Sequence, residues 1–93
     1  MVAVNNPTPQ ETAAITALFK VSGNGWWHYV EGLWFTVDHS GMQTAEQIRD
    51  AVRNITGNKW LIVQELGPGG IWSGYGPNTE GNDMFGWLHA LLK

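Results

Sequence analysis

Asp38-His39-Ser40 places the carboxylate, imidazole and hydroxyl of a nucleophilic triad at three consecutive positions. A working triad draws its members together from separate segments, and neighbours along one turn cannot hold that geometry. Asp38 and Ser40 are instead the residue types that shape a turn after a strand. His28 sits between apolar positions and reads as a hydrogen-bonded core or interface histidine rather than a base. His89 lies beside the apolar stripe of the last helix, where a positive charge near the C-terminus is favoured. No two histidines have the helical spacing of metal ligands, the acids are not clustered, and cysteine is absent, so no metal site is expected. Gly67-Pro68-Gly69-Gly70 is not a phosphate loop, because no Gly-Lys-Ser/Thr follows and it joins two expected strands. Asn54-Ile55-Thr56 matches a glycosylation acceptor by chance, since no secretory signal accompanies it. These groups form no catalytic constellation, and no cofactor is expected.

The chain is richer in rings than in reactive groups. Six Trp, three Phe and two Tyr supply most of its buriable area. Trp26 to Asp38, interrupted by Glu31-Gly32, reads as a β-hairpin with a two-residue turn. Pairing outward from Val30 opposite Leu33 puts Trp26, His28, Val30, Leu33, Phe35 and Val37 on one face and Trp27, Tyr29, Trp34 and Thr36 on the other. A slip of one residue would exchange these sets. A hairpin with one solvated face alternates apolar and polar residues, and this one carries large apolar groups on both. Either other parts of the chain cover both faces, or one face awaits a partner.

Trp27, Tyr29, Trp34, Trp72 and Tyr75 are the candidate binding residues. The expected function is that of a non-enzymatic interaction protein, an adaptor, inhibitor or accessory subunit. It would bind a protein partner, or a second copy as a homodimer, through an aromatic sheet face. The alternative is a small-molecule or carbohydrate binder whose pocket lies between sheet and helices, with Asn24, His28 and Gln64 orienting the ligand.

Three helices and a second hairpin complete the frame. Thr8-Pro9-Gln10-Glu11 is a capping box with proline at the first helical position, and Ile15, Leu18 and Phe19 follow on one face. Thr44-Ala45-Glu46-Gln47 opens a second helix, with Ile48, Ala51, Val52 and Ile55 at helical spacing and Arg53 outward. A third is expected from Asp83 to the end, on Met84, Trp87, Leu88 and Leu91. Trp60 to Tyr75, broken by Gly67-Pro68-Gly69-Gly70, reads as the second hairpin, with Leu61-Ile62-Val63 its strongest strand signal. Glycine at Gly74 marks a bulge or a close approach. Gly74 to Asp83 reads as a long irregular connection. Gly23-Asn24-Gly25-Trp26 and Gly57-Asn58-Lys59-Trp60 echo one another as helix stops that open a strand. The fold class is therefore α+β, a four-stranded antiparallel sheet from two hairpins with three helices, in the order α-ββ-α-ββ-α.

With 93 residues the chain suits a single domain, residues 1–93, in which 1–7 form a flexible or extended N-terminal arm. Its net charge is −3, and its five Lys and Arg are scattered rather than gathered into the basic stripe a nucleic acid requires. Met1-Val2-Ala3-Val4-Asn5-Asn6-Pro7 lacks the basic and apolar regions of a signal peptide. No stretch approaches the about 18 apolar residues of a membrane span. A cytoplasmic or intravirion protein without nucleic-acid or membrane partners is expected.

Overall fold

The computed structural model describes residues 1–67 and 73–91, with the backbone alone for 89–91. Its elements run β1 (Val2–Val4), α1 (Pro9–Val21), β2 (Gly25–Val30), β3 (Leu33–Val37), α2 (Ala45–Thr56), β4 (Leu61–Val63), β5 (Asn78–Thr79), β6 (Asn82–Asp83) and α3 (Gly86–Leu91). Both capping boxes form. The Glu11 N–H donates to Thr8 Oγ1 at 3.1 Å while Thr8 N–H donates to Glu11 Oε1 at 2.8 Å. Thr44 and Gln47 repeat the exchange at 3.0 and 3.1 Å. Each box satisfies two of the N–H groups a helix start leaves without partners. Glu11 also pairs with Lys59, whose ammonium donates to the Asn6 carbonyl as well. That clasp ties the start of α1 to the segment entering β4.

The main sheet is four-stranded and antiparallel, in the order β2-β3-β1-β4. Two expectations are corrected here. Residues 1–7 are not an arm, because Val2–Val4 is an interior strand between β3 and β4. Nor does Leu61–Val63 open a second hairpin: it pairs with β1, Val2 opposite Val63 and Val4 opposite Leu61. The hairpin's expected turn lies outside the described residues, and 73–75 form no strand. The physical reason lies in the side chains. Val2-Ala3-Val4 alternates large and small, so two β-branched residues enter the core, whereas glycine at Gly74 weakens the expected return strand. Since Leu61–Val63 pairs with β1 and, among the described residues, with no strand that follows it, the Gly-Asn echo is a repeated helix stop rather than a duplicated unit.

The sheet is covered on both faces. On the inner face Val2, Val4 and Trp34 pack with Ile15 and Phe19 of α1 and Val52 of α2, joined by Leu61, Val63, Ile48 and Ile55. On the outer face Trp27, Met84 and Leu88 form a second cluster with Leu33, Phe35, Phe85 and Trp87. The helix that caps it is shorter than expected, because Asn82–Asp83 pairs with Asn78–Thr79 as a small hairpin. The Asp83 carboxylate then accepts from the Phe85 N–H at 3.0 Å, closing the turn that starts α3. Gly74 and Gly76 permit this packing. A Cβ at Gly74 would stand 2.8 Å from the Phe85 ring, and one at Gly76 would collide with Met84 Sδ. The close approach expected at Gly74 is therefore to the Phe85 ring.

Candidate interaction surface

The fate of the hairpin rings is decided by one extra residue. Val30 pairs with Leu33 as expected, but Trp27 then pairs with Phe35 and Trp26 with Thr36, a register shift between Trp27 and Val30. Two residues of β2, His28 and Tyr29, thus oppose Trp34, the signature of a β-bulge. His28 lies flat on Trp34, ring centroids 4.1 Å apart and planes within 9°. Tyr29 turns instead toward Trp27, at 5.4 Å, and Trp27 meets Phe35 at 5.1 Å. Trp27 and Trp34, expected side by side, point to opposite faces.

Both are interior. Trp34 is fully buried and its Nε1–H donates to Thr16 Oγ1 at 3.3 Å. Trp27 is 4% exposed and its Nε1–H donates to the Met84 carbonyl. Tyr29 is 44% exposed and Tyr75 99%. Trp72 lies outside the described residues. The five candidates therefore do not form one surface. His28 donates its Nδ1–H to the Leu33 carbonyl at 2.9 Å, since a carbonyl only accepts.

An exposed apolar surface lies elsewhere on the outer face. Val30, Leu33, Ala3 and Ile62 are successive cross-strand partners over β2, β3, β1 and β4, an unbroken apolar row. Leu33 belongs to the outer cluster, so the row runs across the outer face. At its far end Ile62 is 64% exposed. Trp60, two residues earlier and 82% exposed, continues the ladder through the Asn5 N–H bonded to its carbonyl. Sequence reasoning missed both residues. Leu61-Ile62-Val63 reads as the strongest strand signal of a second hairpin, and only the sheet order makes it an edge. No large residue of a polar or charged kind interrupts the row.

Among the described residues, no strand pairs with the outer edge of β4. Gln64 N–H donates to the Met1 carbonyl and Asn5 N–H to that of Trp60. Antiparallel ladders alternate, so Ile62 directs its main-chain groups to Ala3, and Leu61 and Val63 direct theirs away from β1. The opposite edge, β2, carries the bulge.

Two concavities are lined by described residues. One, of about 370 Å³, lies at the end of the sheet beside the start of α2, with Phe35, Val37, Ile48, Val63, Gln43 and Gln64 in its wall. The other, about 240 Å³, lies between α1 and α2 against Phe19 and Asn24. Asn24 donates to Gln43 Oε1 at 3.0 Å. Asn24, Gln64 and His28, expected around one ligand, do not converge: Gln64 lines the first concavity, Asn24 the second and His28 neither.

Asp38-His39-Ser40 forms the turn expected of it. Asp38 accepts from the Ser40 hydroxyl and N–H and from the Gln43 N–H, at 2.6, 3.0 and 2.7 Å. The Ser40 hydroxyl bond first, then that of the Gln43 amide, hold the Asp38 carboxyl below its ordinary 3.8. The folded value lies under the unfolded one, so this contribution is in place above pH 3.8 and is lost as pH falls through the folded value. An NMR titration of Asp38 is expected to show a midpoint below 3.8 that moves up in Ser40→Ala. A wild-type midpoint above 3.8 would contradict the geometry.

The cations are mostly engaged: Lys59 by Glu11, Arg49 by Asp50 and Glu46, and Lys20 over the Trp26 ring at 5.4 Å. Among the described residues no group of three His, Cys, Asp or Glu side chains is placed to hold a metal ion, and no helix is long and apolar enough to cross a membrane. Comparison with protein families, with curated proteins and with solved structures yields no match to this chain.

Proposed function

We propose that this chain is a non-enzymatic interaction protein, binding a protein partner or a second copy of itself through the uncovered part of its outer sheet face and the adjoining edge of β4. One observation carries the proposal: Trp60 and Ile62, both large and apolar, stand in solvent beside a strand whose outward main-chain groups have no partner among the described residues. Contiguous exposed apolar surface on a small domain marks a contact site, and tryptophan is enriched at the centres of such sites. Tyr29 and Val30 extend the same apolar row at its other end, and Tyr75 offers a further exposed ring. This is a role for the cytoplasm or a virion interior, where a chain without cysteine is at no disadvantage.

A photo-crosslinking residue at position 62 tests the proposal in the source cell. Capture of a polypeptide at 62, and none at exposed position 46 on α2, is expected. If neither position captures a polypeptide, the proposal fails.

A small-ligand role is the second possibility, favoured by the concavity at the sheet end. Its volume lies within the range of ligand pockets, and apolar Phe35, Val37 and Val63 stand with amide groups of Gln43 and Gln64. Saturable chemical-shift changes confined to these residues on adding sugars or small aromatic compounds would favour it.

A further inference from the structure

We infer that the partner of the β4 edge is a second copy of this chain, paired antiparallel through β4 about a two-fold axis at Ile62. This rests on the interaction role proposed above and names its partner. The argument begins with hydrogen-bond phase. Leu61 and Val63 point their N–H and C=O groups outward while Ile62 is bonded to Ala3. Two such edges brought together antiparallel overlap over the whole of β4 in one register: Leu61 exchanges both bonds with Val63 of the second copy, and Val63 with its Leu61. Ile62 then faces Ile62 as the non-hydrogen-bonded pair, where side chains approach most closely.

The flanking residues fit that register. Trp60 comes opposite Gln64, on the outer face with Ile62, so the exposed indole gains a flat neighbour. Lys59 comes opposite Glu65, so no like charges meet; Lys59 already holds Glu11, and Glu65 joins an occupied cation. The main-chain bonds at Trp60 and Gln64 keep this run extended over about 17 Å, the length of an ordinary strand. Edges that stay single are guarded by lysine, proline or a bulge. Leu61-Ile62-Val63 contains none of these, whereas β2, the other edge, has its bulge at His28 and Tyr29. Isologous two-fold pairing is also the commonest form of self-association.

Sedimentation of wild type, Ile62→Lys and Ile62→Glu tests this. Wild type is expected to be dimeric. Each variant alone is expected to be monomeric with unchanged helix content, its dissociation constant weakened roughly tenfold or more by like charges directly opposed. An equal mixture of the two variants is expected to dimerise again, because only residue 62 facing residue 62 converts two repulsions into one attraction. A monomeric wild type, variants that stay dimeric, or a mixture that stays monomeric would each overturn the inference. Should the charged variants fail to fold, Ile62→Cys serves in their place. The chain has no other cysteine, so mild oxidation is expected to give a covalent dimer from Ile62→Cys and none from Glu46→Cys. Absence of that dimer overturns the pairing. A monomeric wild type that captures a different polypeptide at position 62 overturns self-pairing and leaves the interaction role standing. Capture of nothing removes both.

Discussion

Trp34→Ala is expected to destabilise the protein severely rather than to free a binding face. Trp34 is fully buried at the centre of the sheet, beneath His28 and against the α1 and α2 cluster. Truncating a buried tryptophan costs about 3–5 kcal/mol, through lost transfer energy and the cavity left behind. Thr16 Oγ1 also loses its indole donor. Total stability for a domain of this size is roughly 5–14 kcal/mol, so this one change removes a large part of it. Trp27→Ala is expected to cost nearly as much from the other face, where its ring and its bond to Met84 hold α3 against the sheet. The two rings lie in separate clusters, so the costs add and the double variant does not fold. Trp60→Ala, by contrast, is expected to change stability by no more than about 0.5 kcal/mol. Urea midpoints for the three single variants check the contrast. Wild-type stability in Trp34→Ala, or unfolding in Trp60→Ala, would reverse the assignment of core and surface.

Gly32→Ala is expected to be the most damaging change at any glycine of a turn. Gly32 closes the β2–β3 turn at φ +76, where a side chain costs about 1–2 kcal/mol. A Cβ there would also stand 2.6 Å from the carbonyl oxygen of Val4, a main-chain atom of the strand whose N–H donates to Gly32 O at 2.7 Å. The clash cannot be relieved by a side-chain rotation; β1 must move away from β3. Gly23, at φ +73, has nothing within 4 Å of its would-be Cβ, so Gly23→Ala is expected to show the backbone cost alone. Equal midpoints for the two variants in thermal unfolding would mean that β1 does not press against the turn.

How much of this was legible in the sequence depended on whether the signal was local. Thr8 with Glu11 and Thr44 with Gln47 announced their helices because a capping box is complete within four residues. The Glu31-Gly32 turn was legible for the same reason, and so was the demand for cover on both faces of the hairpin. The bulge was not. Nothing in Trp26-Trp27-His28-Tyr29-Val30 marks which residue is extra, and the choice depends on whether His28 or Tyr29 fits over Trp34. The place of Val2–Val4 was hidden too, because its partners are 30 and 60 residues away in the chain and long-range pairing leaves no local mark. Once β1 takes the interior position, β4 becomes an edge and Ile62 stands at the surface. The candidate site thus shifted from Trp27 and Trp34 to Trp60 and Ile62, while Tyr29 and Tyr75 kept their exposure.

Amide exchange at Leu61 and Val63, followed as protein concentration is raised, tests most directly whether the β4 edge is the contact surface. The N–H groups of both residues point away from β1, so in isolated molecules they are expected to exchange freely while that of Ile62, bonded to Ala3, stays protected. As copies pair, Leu61 and Val63 are expected to become protected together, with no change on the exposed face of α2. Free exchange at both residues at every concentration, with new protection arising elsewhere or nowhere, would contradict the assignment.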